Sequence, residues 1–141
     1  MADLSALIRL HKHDLDEKRR ILGELYGEMA LLERERLDLE RAFEQEKEAL
    51  NLMGNDIHFT FAHYADTVRM KRQDLDEREA EMERSIEQAK ESLMDTFTEL
   101  KKYEMTQEER NRIEAEERMF KENAAMDAIG LEGFRRKQDD E

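Results

Sequence analysis

The chain has 141 residues, of which 43% are charged and 6% are aromatic, and it contains no proline and no cysteine. This composition argues against a sheet or a layered globular core, and it excludes a disulfide framework. The formal net charge of −13 disfavours nucleic acid and anionic membrane surfaces as partners, because an acidic surface repels both.

The sequence shows no membrane-spanning or secretion signal. No stretch approaches the ~20 consecutive apolar residues that span a bilayer. The first residues have neither the basic leader nor the apolar core of a signal peptide. The absence of cysteine suits a reducing compartment. We therefore predict a soluble, cytoplasmic protein without direct membrane insertion.

The first predicted element is a helix over residues 1–53. Apolar residues recur there in alternating steps of four and three, the heptad period that keeps one helix face against a partner. The polar exceptions are His11, Lys18, Arg36 and Glu46. The heptad positions are Leu4, Ile8, His11, Leu15, Lys18, Leu22, Leu25, Met29, Leu32, Arg36, Leu39, Phe43, Glu46, Leu50 and Met53.

A turn is predicted at 54–57, where the sequence reads Gly54-Asn55-Asp56, and a second heptad helix is predicted over 58–104. Because the turn is short, the second helix must run antiparallel to the first. Its heptad positions are Phe61, Ala65, Val68, Arg72, Leu75, Glu79, Met82, Ile86, Ala89, Leu93, Thr96, Leu100 and Tyr103. The facing pairs include Leu25 with Ile86, Met29 with Met82 and Phe43 with Val68.

Beyond Tyr103 the heptad phase slips, and residues 106–109 have the Thr-x-x-Glu pattern of a capping box. We predict a helical extension over 105–128, which either restarts after a kink or prolongs the second helix. Residues 129–141 mix helix breakers, apolar residues and charge, and they predict a disordered tail, with a docking peptide as the alternative. The predicted fold class is all-α: an antiparallel two-helix coiled-coil hairpin with a C-terminal helical extension.

Charged residues interrupt the middle of the heptad pattern in three consecutive layers. An ion pair between Arg36 and Glu79 would reduce the cost of removing these charges from water, although a buried ion pair seldom adds net stability. The layers could control the pairing register or form a flexible joint, and we favour register control. The three layers are Leu32 with Glu79, Arg36 with Leu75, and Leu39 with Arg72.

Two groups outside the heptad positions are candidate partner-binding residues. Gly23, Gly27 and Ala30 share one stripe of the outer face, where small side chains would let another helix approach closely. The same stripe is equally compatible with a surface under no selection. Phe59 and Tyr64 lie near the turn, where they either contact a larger partner or cap the end of the hairpin.

We expect no enzymatic activity, no cofactor and no metal. A two-helix rod offers no concave pocket in which catalytic groups converge. His11 and His13 are two residues apart and point to different sides of a helix, so they cannot share a metal ion. His58 and His63, five residues apart, are no better placed.

Short segments in both helices and in the extension carry a family resemblance. They are Leu7-Ile8-Arg9-Leu10, Asp14-Leu15-Asp16-Glu17-Lys18-Arg19, Phe61, Tyr64, Val68-Arg69, Phe97, Leu100-Lys101-Lys102-Tyr103-Glu104 and Met126-Asp127-Ala128-Ile129. Together with the length and the hairpin layout, these segments resemble the FliJ family, the stalk proteins of the flagellar type III export ATPase.

The resemblance implies a stalk whose paired terminal end enters the central pore of the hexameric flagellar export ATPase. The other end would reach toward the export gate protein, and export chaperones would also bind the stalk. It implies a pore end at 4–18 with 96–109, a gate end at 43–68, and a cytoplasmic location peripheral to the flagellar basal body at the inner membrane. The candidate contacts of the pore end are Leu7, Arg9, Lys12, Lys101 and Lys102.

The alternative function is a cytoplasmic coiled-coil scaffold or a holdase chaperone that holds clients at its tips. A homodimeric structural protein is a third option. A co-purification experiment separates the first two, because a stalk recovers a hexameric ATPase whereas a holdase recovers diverse unfolded chains.

Overall fold

We describe the protein from a computed structural model, in which residues 3–52 and 58–140 are described. They form two α-helices, α1 at Ser5–Leu52 and α2 at His58–Asp139. The predicted all-α class is confirmed at this level, since the two helices pack against each other and neither described range contains a strand. The turn predicted at 54–57 lies outside the described residues.

The chain divides into two compact units. The central unit comprises residues 13–96, and the terminal unit comprises residues 1–12 together with residues 97–141. Each unit contains a stretch of α1 packed against a stretch of α2.

The core of the central unit is a single row of side chains between the two helices. Its buried residues are Leu15, Leu32, Val68, Leu75, Ile86 and Thr96. All of them occupy predicted heptad positions, and Glu46 is the only heptad position in the described part of this unit that is exposed. Asp14 lies beside Thr96, whereas Glu40 pairs with Arg72 further along α1, so the helices run antiparallel here.

In the terminal unit, the start of α1 packs on the middle of α2. Leu100 is buried, and the rings of His11 and Tyr103 lie 4.9 Å apart between centroids. The backbone N–H of Leu4 donates a hydrogen bond to Oε1 of Gln107 at 2.9 Å. This bond satisfies a donor near the helix start that has no partner within α1.

Thr106 lies inside α2, so the predicted capping box does not form. Its hydroxyl donates to the carbonyl oxygen of Lys102 at 2.8 Å, the bond that a threonine makes within a continuous helix. Residues 105–128 lie within α2. The heptad phase also continues past Tyr103, because Gln107 and Arg110 are partly buried.

The structure differs from the prediction of a disordered tail at 129–141, because α2 continues to Asp139. Gly130 and Gly133 each cost roughly 1 kcal/mol of helix stability relative to alanine, but neither adopts a positive φ. Glu132 and Arg136 form an ion pair at 3.8 Å across one turn of the helix, which supports its continuation. The described side chains from 111 to 140 are all exposed.

Candidate partner-binding surfaces

A network of ion pairs crosses between the helices in the middle of the central unit. Arg36 donates from Nε to Glu79 at 3.0 Å and from Nη2 to Asp76 at 2.5 Å. The predicted Arg36–Glu79 ion pair is thus confirmed. The hydrogen bond that Arg36 donates to Glu79, followed by the one that it donates to Asp76, raises the pKa of Arg36.

The same network contains partners that the heptad pattern does not reveal. Arg72 donates two hydrogen bonds to Glu40, at 2.6 and 2.7 Å, and its guanidinium lies 4.8 Å from the centroid of the Phe43 ring. Arg78 donates to Glu35 at 3.2 Å. Glu40 and Glu35 lie next to heptad positions rather than on them. The feature of the sequence that indicates these pairs is that both glutamates are opposite in charge to arginines on the facing helix.

Glu40 couples this network to pH. The hydrogen bonds from Arg72 lower the pKa of Glu40 below its ordinary value of 4.5. A carboxylate whose pKa is lowered on folding stabilises the folded state above its unfolded pKa, and this stabilisation is lost as the pH falls through the folded value. The Glu40 contribution should therefore be complete at neutral pH and should disappear in acid.

We expect Glu40→Gln to lower the melting temperature at pH 7, with the difference from the parent chain shrinking steadily below about pH 4.5. Thermal melts of both chains from pH 7 to pH 3 measure this difference. We compare the two chains at each pH because acid also protonates the other carboxylates, which relieves repulsion within a chain of net charge −13. Glu48→Gln removes the same charge from an exposed position and controls for that effect. A Glu40→Gln difference that does not change with pH would contradict the prediction.

A second polar cluster lies nearer the boundary of the central unit. Thr96 is only 5% exposed. Its hydroxyl accepts a hydrogen bond from Nζ of Lys18 and lies 3.4 Å from Oδ2 of Asp14, which also forms an ion pair with Lys18 at 3.4 Å. Lys18 and Thr96 are polar residues at heptad positions, and heptad spacing alone does not predict their pairing. The cluster gives the buried hydroxyl of Thr96 hydrogen-bond partners within the apolar core.

The two aromatic residues predicted near the turn have different environments. Tyr64 is partly buried in a cluster with Phe43 and Phe61, and the ring centroids are 5.9 to 6.3 Å apart. Phe59 is 88% exposed. Phe59 is therefore available to a partner, whereas Tyr64 mainly contributes to packing within the central unit.

Gly23, Gly27 and Ala30 are exposed on the outer face of α1. A Cβ atom built on either glycine has no neighbour within 4 Å, so no packing requirement of the described structure explains the glycines. A cavity of about 460 Å³ lies elsewhere on the central unit. Its lining residues are Leu25, Glu28, Leu31, Leu32, Arg78, Glu81, Met82 and Ser85.

All five candidate contacts of the proposed pore end belong to the terminal unit. Leu7 is partly buried, and the other four side chains are exposed. Lys101 forms an ion pair with Glu104 at 3.2 Å and lies 5.4 Å from the centroid of the Phe97 ring. The exposed cations in this set are Arg9, Lys12, Lys101 and Lys102.

Exposed apolar side chains extend along α2 beyond the contacts with α1. They follow two separate stripes of the helix surface, and this helix therefore has more apolar surface than the sparse pattern of its sequence indicated. The first stripe contains Ile113, Phe120, Leu131 and Phe134. The second contains Met119, Met126 and Ile129.

Within the described ranges, no group of three or more His, Asp or Glu residues is arranged to hold a metal ion. Neither helix, over the same residues, has a segment long and apolar enough to cross a bilayer. Comparison of the chain with protein-family models, with curated proteins and with solved structures found no match in any of the three.

Proposed function

We propose that the protein is a stalk of the flagellar type III export ATPase. In this proposal α1 and α2 form an antiparallel coiled coil with a C-terminal helical extension. The terminal end enters the pore of the hexameric ATPase, the opposite end reaches the export gate protein, and export chaperones bind along the stalk. The protein would act in the cytoplasm, peripheral to the flagellar basal body at the inner membrane.

The observation that carries this proposal is the pattern of burial in each unit. Among the described residues, heptad positions on both helices are buried or partly buried with the single exception of Glu46, and the outer faces are exposed. A pair of helices is only about 20 Å wide, since one helix with its side chains measures about 10 Å. Such a pair is narrow enough to enter the pore of a protein ring. The choice of the flagellar export ATPase as that ring is based on the segments that resemble the FliJ family.

The terminal unit is less acidic than the central unit, and this supports its choice as the pore end. The chain is strongly acidic, yet Arg9, Lys12 and Lys102 place exposed cations on this unit. Exposed charges act mainly by steering and orienting a partner. We propose that these three cations face acidic groups of the ATPase pore.

Charge reversal on the full chain tests the proposal. The variant Arg9→Glu/Lys12→Glu/Lys102→Glu is expected to lower stimulation of the export ATPase at least tenfold while the helix content stays unchanged. The readouts are ATP hydrolysis by the purified ATPase and circular dichroism of the variant. The matched control is Arg41→Glu/Lys71→Glu/Arg84→Glu, which reverses three exposed cations of the central unit. Equal stimulation by the two variants would count against the stalk.

A second candidate function, a scaffold or holdase chaperone, is favoured by the exposed apolar side chains of Phe59 and of the two α2 stripes. Co-purification from a flagellated host separates the two functions. A stalk should recover one hexameric ATPase, whereas a holdase should recover many unrelated unfolded chains.

A further inference from the structure

We propose that residues 113–138 of α2 pair antiparallel with the same segment of a second copy of this chain. This inference goes beyond the proposed stalk function and does not depend on it, because it uses only the surface of α2. The pairing would place a two-fold axis beside Ala125 and Met126, and the first apolar stripe would form the interface.

The segment has no partner among the described residues. Leu4, just before the start of α1, already bonds to Gln107, and side chains of α2 from 111 onward are all exposed. Phe120 is 76% exposed, which is a large apolar surface to leave in water. An isolated charged helix is only weakly stable, so a packing partner would stabilise this part of α2.

The spacing of the first stripe continues the kind of interface that α1 and α2 already form. Steps of four and three again describe a heptad face, and most of its positions are apolar. The positions are Ile113, Glu117, Phe120, Ala124, Asp127, Leu131 and Phe134.

Charge decides the direction and the register of the pairing. In the proposed antiparallel register, Phe120 packs on the second copy's Leu131. Glu114 then lies beside the second copy's Arg135, and Glu116 lies beside the second copy's Lys137. A shift by one heptad would instead set Glu117 against Asp127. The attractive flanking pairs and the avoided repulsion select one register.

The area of the interface fits a reversible dimer. The four large side chains of the stripe expose on the order of 100 Å² each, so two copies would cover on the order of 1,000 Å² with the flanking residues. This area lies at the lower end for specific protein interfaces. We therefore expect self-association in the micromolar range rather than a permanent dimer.

Two neighbouring substitutions in the full chain test which stripe forms the interface. Phe120→Ser is expected to raise the Kd of self-association at least tenfold, measured by sedimentation equilibrium from about 1 to 200 µM. Met119→Ser removes a side chain that is 65% exposed on the second stripe, outside the proposed heptad face, and it should leave the Kd unchanged. A parent chain that stays monomeric over the whole range would overturn the proposal. So would a Met119→Ser effect as large as that of Phe120→Ser.

The absence of cysteine from the sequence allows a test of direction. Chains carrying Glu114→Cys and chains carrying Arg135→Cys are treated with a short bismaleimide, separately and as a mixture. The antiparallel register predicts covalent dimers only in the mixture, because identical positions lie roughly 30 Å apart at ~1.5 Å per residue. Dimers formed by each variant alone would show parallel pairing and would overturn the proposal.

Discussion

Replacement of Leu75 with alanine is expected to lower the free energy of unfolding by about 2–4 kcal/mol. Leu75 is 2% exposed in the core of the central unit. The substitution removes apolar burial and leaves a cavity, and two packed helices have few other side chains that could fill it. The effect should be among the largest of any single apolar truncation, because the core is only one row of side chains wide.

Urea unfolding followed by circular dichroism measures this loss. Leu31→Ala makes the same chemical change at a side chain that is 68% exposed, and it should cost well under about 1 kcal/mol. Equal losses for the two variants would mean that Leu75 is not part of the core. The parallel measurement also controls for helix propensity, since both substitutions replace leucine with alanine within a helix.

Reversal of the charge at Arg36 is expected to give the second large loss in the free energy of unfolding. Arg36→Glu would place a carboxylate beside Glu79 and Asp76, which now accept hydrogen bonds from the guanidinium. Arg36 and Glu79 retain partial exposure, so we expect a loss of about 1–2 kcal/mol, below the value for a fully buried pair.

The double variant Arg36→Glu/Glu79→Arg tests whether the effect arises from the pair itself. It exchanges the two charges, and it should recover a large part of the stability lost in Arg36→Glu, as measured by urea unfolding at low salt. High salt should reduce the difference between the two variants, because exposed charges are screened. No recovery in the double variant would indicate that Arg36 acts through its aliphatic stem instead.

The burial pattern could be predicted because it depends only on the heptad spacing of apolar residues along the sequence. Steps of four and three identify the positions that α1 and α2 bury, and the pairing that follows from them predicts that Arg36 lies near Glu79, as it does. Partners outside the heptad could not be predicted in this way. The bond from Arg72 to Glu40 depends on the reach and rotamers of two long side chains, which sequence spacing does not determine.

Predictions from short sequence motifs were wrong where the neighbouring helical structure determines the environment of a residue. Thr106 begins a capping-box sequence, but a helix that is already continuous offers its hydroxyl a carbonyl oxygen one turn earlier. Tyr64 and Phe59 appeared equivalent because both lie off the heptad. The difference between them arises from Phe43 on the other helix, which supplies a ring for Tyr64 to stack against. The proposed contacts with an ATPase, an export gate and chaperones remain predictions.

The cross-helix bonds span very different lengths of chain, and this has a consequence for folding kinetics. Residues joined by the Arg72–Glu40 bond are 32 apart in sequence, those joined by the Thr96–Asp14 bond are 82 apart, and those joined by the Leu4–Gln107 bond are 103 apart. Closing a longer loop costs more entropy, so the Glu40 region should be ordered first in the transition state and the Leu4 region last. Substitutions near Phe43 should then slow refolding, whereas those near Leu100 should mainly accelerate unfolding.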